Sequence, residues 1–113
     1  MVNERKIYVG AVGVVIILST SQDLTLSTKR EVLVKKPDGT VAAWTADIAT
    51  EREDEQTGDL IDLAPDDGYI EYITTEDDLD QVGDYSLQAY VEWGTPSCHY
   101  GKTVKMEVHE KFK

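Results

Sequence analysis

Asp84-Tyr85-Ser86-Leu87-Gln88-Ala89-Tyr90-Val91-Glu92-Trp93 decides the fold class. Tyr85, Leu87, Ala89, Val91 and Trp93 fall on one face of this stretch, and Ser86, Gln88, Tyr90 and Glu92 on the other. A period of two, apolar against polar, is the mark of a strand with one side in a core and the other in water. Residues 100–112 repeat it, with Val104, Met106, Val108 and Phe112 opposed to Thr103, Lys105, Glu107 and His109. In residues 29–36, Val32 and Val34 oppose Glu31, Leu33 and Lys35.

Turn chemistry separates these runs. In Pro37-Asp38-Gly39-Thr40, Pro presets φ, Asp favours the turn and Gly39 takes the left-handed position, so a hairpin closes there. Residues 41–48 then return as one strand, with Trp44 and Ile48 in one phase and Val41 and Ala43 in the other. Pro65-Asp66-Asp67-Gly68 repeats the turn signal ahead of a strand at 69–74. Residues 75–80 form a tight turn capped by Thr75 and anchored by Leu79. Residues 7–9 and 12–18 read as strands split by Gly10, and 19–28 and 94–97 as turns. Residues 50–58 carry no apolar stripe; a short helical turn fits there, followed by a short strand at Leu60, Ile61 and Leu63. Seven or eight short strands without an amphipathic helix predict an all-β antiparallel sandwich, one domain over residues 1–113.

The 113 residues include 22 acidic and 11 basic side chains, a formal charge of −11. That balance argues against binding nucleic-acid backbones or anionic membranes, both of which need positive surface. A single cysteine, Cys98, excludes an internal disulfide. The charge is concentrated. Residues 47–84 hold 15 acids against Arg52 alone, a net −14, while the remainder has ten basic and seven acidic residues, a net +3. Such a run is commonly a set of solvated loops. Arg5 and Lys6 ahead of an apolar stretch have the outline of a signal peptide. Gly10, Gly13, the β-branched residues and the absence of an A-x-A site favour strands instead, and the stretch is shorter than the about 20 residues a membrane span needs.

Leu79-Asp80-Gln81-Val82-Gly83-Asp84-Tyr85-Ser86-Leu87 resembles the D-x-G-x-Y-x-C corner of immunoglobulin-like domains. Asp80 stands one residue further from the glycine than that pattern asks, and Asp84 intervenes before the tyrosine. The resemblance implies that the Tyr85 hydroxyl bonds back to the backbone. It places Leu87 where the family has its second cysteine, so apolar packing, with Trp44 as partner, replaces the inter-sheet disulfide. The layout from Val32-Leu33-Val34-Lys35-Lys36-Pro37-Asp38-Gly39-Thr40 through Trp44-Thr45-Ala46 and Tyr69-Ile70-Glu71-Tyr72 to this corner looks like the small immunoglobulin-like structural proteins of tailed bacteriophages and prophages. It is similar to the N-terminal domain of baseplate upper proteins. The acidic insertion at 50–67 departs from that layout. The resemblance implies a virion protein (tail, baseplate or capsid-associated) made in the host bacterial cytoplasm. Its partners would be other virion proteins or further copies of itself, as a homo-oligomer.

Chemistry points away from catalysis. No G-x-S-x-G elbow, P-loop or H-E-x-x-H motif occurs. Cys98 and His99 are neighbours in an extended segment and point to opposite faces. No cofactor is expected. Calcium is the exception to weigh, because it takes about six to eight oxygens and loop carboxylates supply them. The candidates are Asp66 and Asp67 in one turn and Glu76, Asp77, Asp78 and Asp80 in another. A six-residue strand between them sets the turns roughly 20 Å apart, so each needs oxygens from another loop, such as Glu51, Glu53, Asp54 or Glu55. Acids clustered in turns rather than along a rod do not suit a mimic of DNA. Two interaction readings remain. One is an adhesion or carbohydrate-binding module using Trp93, Tyr90 and Tyr100 as a stacking platform, with calcium as a stabiliser. The other is assembly, with Lys102, Lys105, Lys111 and Lys113 meeting the acidic segment of a neighbouring copy head to tail.

Overall fold

The computed structural model describes residues 6–54, 56–94 and 97–112. Expectations resting on Arg5, Glu55 and Lys113 lie outside them. The chain is all-β: β1 (Ile7–Tyr8), β2 (Val15–Ser19), β3 (Lys29–Lys35), β4 (Val41–Thr45), β5 (Asp47–Ile48), β6 (Glu51–Glu53), β7 (Leu60–Asp62), β8 (Tyr69–Ile73), β9 (Gly83–Glu92), β10 (Cys98–Tyr100) and β11 (Val104–His109). One 3₁₀ turn, Pro65–Asp67, precedes β8.

The large sheet runs β1-β11-β9-β3-β4, and β10 pairs with β9 on the β11 side. β10 and β11 therefore share one position along the long strand β9, five positions in all. Between them Gly101 donates its N–H to Ala89 at 2.8 Å, and a Cβ there would stand 3.2 Å from Ala89 Cβ. Every pairing in this sheet is antiparallel except β1 with β11. The small sheet runs β2-β8-β5, all antiparallel. β6 and β7 form a hairpin of their own.

The alternation of residues 84–93 places the core. Tyr85, Leu87, Ala89 and Val91 are buried beside Val32, Val34 and Trp44, and the small sheet adds Ile16, Leu18 and Ile70 from the other side. Trp44 shares that core with Leu87, and its ring stacks on Tyr72 with centroids 4.8 Å apart, a contact worth about 1 kcal/mol beyond its buried area. Leu79 is buried as the plug of its turn, and its carbonyl accepts the Gly10 N–H at 2.7 Å. At the β3–β4 hairpin, Gly39 has φ 89° and Asp38 Oδ1 accepts the Thr40 N–H at 2.9 Å.

Three local expectations change. Residues 41–48 are two strands in different sheets. Ala46 is still bonded to the Arg30 carbonyl in the large sheet, whereas Ala49 is bonded to Tyr69 in the small one. The chain crosses between layers at buried alanines, which leave room for the turn. Residues 51–53 form a strand, not a helical turn; its partner is β7. Phe112 does not join the apolar face of the last strand. β11 ends at His109, and Phe112, at φ 69°, is fully exposed. The radius of gyration, 14.5 Å, exceeds the about 13 Å of a compact chain this long.

Candidate functional site

Tyr85 lies near the start of β9. Its ring is fully buried, and its hydroxyl accepts the Gln81 N–H at 3.0 Å. That bond ties the loop entering β9 to the strand itself. Burial holds the phenol above its ordinary pKa.

The two acidic turns sit at opposite ends of β8, and each spends carboxylates on its own geometry. Asp67 Oδ2 accepts the Ala64 N–H at 2.8 Å and closes the 3₁₀ turn; Asp66 is exposed beside it. Gly68, at φ 83°, ends that turn, because its carbonyl must meet the N–H and hydroxyl of buried Thr20 at 2.7 and 2.8 Å. In the second turn Asp78 does the capping. Its Oδ2 accepts the Thr75 N–H at 2.7 Å, the Thr75 hydroxyl at 3.0 Å and the Tyr72 hydroxyl at 2.6 Å. Burial and the Asp78 contact raise the Tyr72 pKa. Lys36 Nζ donates to Asp80 at 2.8 Å and to the Asp77 carbonyl at 3.2 Å. The bond to Asp80 raises the Lys36 pKa. Glu76 is exposed at the turn's edge. Among the described residues no three His, Cys, Asp or Glu side chains gather as a metal would require. Lys36 and Tyr72, which organise the second turn, were hidden in sequence; only the Lys-Pro-Asp-Gly context of Lys36 hinted at a turn contact.

The aromatic platform separates into two parts. Tyr90 and Tyr100 meet on the outer face of the large sheet, with ring centroids 5.0 Å apart, and the Tyr90 hydroxyl donates to Glu92. That carboxylate keeps the Tyr90 phenol protonated well past its usual range. Trp93 belongs to the inward series, packs against the core and donates Nε1–H to the Asp23 carbonyl at 3.0 Å. Cys98 is exposed and pairs in register with Glu92, while His99 pairs with Val91, so the two side chains lie on opposite faces.

Charge divides along the fold. The β6–β7 hairpin carries Glu51, Asp59 and Asp62 in exposed positions, with Leu60 65% exposed between them. Asp54 holds its tip, accepting the Gln56 N–H at 2.8 Å. Arg52 anchors the base: its guanidinium lies 5.5 Å over the Tyr69 ring. Lys102, Lys105 and Lys111 are exposed along and beyond the opposite edge, on β11 and its flanks. No protein-family model matches the chain, and neither the curated proteins nor the solved structures contain a match.

Proposed function

We propose that the chain is a non-catalytic assembly module with an immunoglobulin-like sandwich, acting through protein–protein contacts within a phage or prophage particle. The fold part rests on the strand order, on the parallel β1–β11 pairing beside an otherwise antiparallel large sheet, and on the Tyr85 corner bond. The virion setting rests on the sequence layout that resembles phage structural proteins, and virion genes beside its own would test it.

The observation that carries the assembly reading is the separation of charge. A net −14 falls in residues 47–84, with six of its fifteen acids on the β6–β7 hairpin, and Lys102, Lys105 and Lys111 stand exposed on and beside β11, with Glu107 and Glu110 among them. Copies approaching head to tail place opposite signs together, and a heterologous contact of this kind repeats into rings or filaments. Sedimentation velocity at about 0.1 M salt should give concentration-dependent association that weakens at about 1 M, where the screening length is about 3 Å. A strict monomer at millimolar concentration in 0.1 M salt refutes it.

A further inference from the structure

The two sheets are unequal, five positions against three. β2, the edge of the small sheet, faces β9, and β8 and β5 face β3, so β11 and β1 extend past the small sheet on the β2 side. The inner face of β11 records the gap. Val104 and Met106 stand in register with buried Leu87 and Tyr85 and so point inward. Val108 is 1% exposed where the loop after β1 seals it, Met106 is half-buried, and Val104 is 44% exposed.

β2 borders the same gap. The Thr74 N–H bonds the Val14 carbonyl and the Thr20 N–H bonds the Gly68 carbonyl. Even-numbered residues therefore bond β8, and Val15, Ile17 and Ser19 aim their N–H and C=O groups away from it; the Ser19 carbonyl lies beside Gly101, so the open stretch is centred on Val15 and Ile17. No charged residue occurs from Ile7 to Gln22, so this edge has no lysine or proline to block pairing. At its far end the gap opens into a depression of about 530 Å³ lined by Ser19, Thr20, His99, Tyr100, Lys102 and Val104.

We propose that this gap receives the β6–β7 hairpin of a second copy, with β7 pairing along the free edge of β2. The inference rests on the assembly reading above and names its contact. The small sheet is two strands short of the large one, and the hairpin supplies two. Among the described residues β6 and β7 pair only with each other, so the outer edge of β7 is open. Leu60 brings apolar surface to Val104, and Glu51, Asp59 and Asp62 approach Lys102, which lines the depression at the end of the gap. Two copies joined β2 to β2 would drive their overhanging β11 and β1 strands into one another; a projecting hairpin avoids that collision.

The test uses three chains in sedimentation velocity at about 0.1 M salt: wild type, Val104→Glu in the receiving gap and Leu60→Lys on the hairpin. Wild type should associate, and each variant alone should associate at least about tenfold more weakly. Mixed in equal amounts, the variants should form a one-to-one dimer that does not grow, because one retains the hairpin and the other the gap. Circular dichroism melts check folding. Should Val104→Glu not fold, Ser19→Pro replaces it, since the Ser19 N–H lies on the free edge and bonds nothing in β8. Association of both variants as strong as wild type, or monomeric variants that yield no dimer on mixing, overturns this contact and leaves the assembly reading standing. A monomeric wild type overturns both.

Discussion

Replacing Tyr85 by Phe removes one oxygen from the corner and nothing else. The ring stays in its fully buried site, so little cavity opens. What is lost is the acceptor of the part-buried Gln81 N–H, now 3.0 Å away. A net hydrogen bond is worth about 1 kcal/mol, and leaving its donor buried and unpaired adds a desolvation cost, so the expected loss is about 1.5–2.5 kcal/mol. For a domain of this size that lowers Tm by about 6–12 °C. Tyr85→Ala, which also empties the ring site, should cost about 3–5 kcal/mol. Urea denaturation followed by circular dichroism measures both, with an unchanged m-value for the Phe variant. Amide exchange at Gln81 should quicken in Tyr85→Phe more than at the neighbouring β9 amides. A loss under about 0.5 kcal/mol, or a Phe variant as unstable as the Ala variant, refutes the reasoning: the corner bond would be incidental in the first case and the ring site misread in the second.

Two glycines with nearly the same positive φ should respond differently to alanine. At Gly39, φ 89°, an added Cβ meets nothing within 4 Å, so Gly39→Ala should cost only the left-handed penalty of about 1–2 kcal/mol. At Gly68, φ 83°, the Cβ would stand 2.4 Å from the Gln22 carbonyl oxygen, and thermal melts should show Gly68→Ala at least about 2 kcal/mol worse than Gly39→Ala. Stability should also fall on the alkaline side. Lys36, Tyr72, Tyr85 and Tyr90 all have raised pKa values in the folded chain. Their contribution is complete below the unfolded values near pH 10 and is lost as pH rises through the folded ones, because the unfolded chain then binds fewer protons. Urea midpoints that are flat or rising from pH 9.5 to 11 would contradict those shifts.

The parts of the fold that face the core were legible, and the parts that leave it were not. Residues 84–93 alternate because every second side chain enters the apolar layer, and the same constraint marks Val32 and Val34. The bond from the Gln81 N–H to the Tyr85 hydroxyl was anticipated only through a family resemblance; nothing in the periodicity or composition of residues 81–85 points to it. Glu51 and Glu53 face water, and the side between them is held by Arg52 over Tyr69 rather than by an apolar side chain, so no apolar period of two marks the strand in sequence. The crossing at Ala46 was hidden for a different reason: Trp44 and Ile48 both pack on the one core, so their shared phase survives a change of sheet. The acids at 75–80 looked like a ligand set because composition does not reveal that Thr75, Tyr72 and Lys36 already occupy Asp78 and Asp80.

The charge count of −11 and the split of −14 against +3 act over different distances, and salt decides which one a neighbouring copy feels. Two chains of charge −11, with centres one long axis of 44 Å apart, repel by about 3 kcal/mol in water at 0.01 M salt, where screening extends about 30 Å. At 0.15 M the screening length is about 8 Å, and the same repulsion falls below about 0.1 kcal/mol. Contacts between an acidic hairpin and a lysine-rich edge work at a few Å, contribute up to about 1 kcal/mol for each exposed pair, and survive that screening in part. Head-to-tail association should therefore pass through a maximum between dilute and concentrated salt. Lower ionic strength lets the net charge push copies apart before the poles can meet, and higher ionic strength screens the poles themselves. Arg52 over Tyr69 fixes the acidic hairpin on a chain whose long axis, 44 Å, is several screening lengths at physiological salt. At such distances individual lysines on and beside β11 act as local charges, which the total charge of −11 does not cancel.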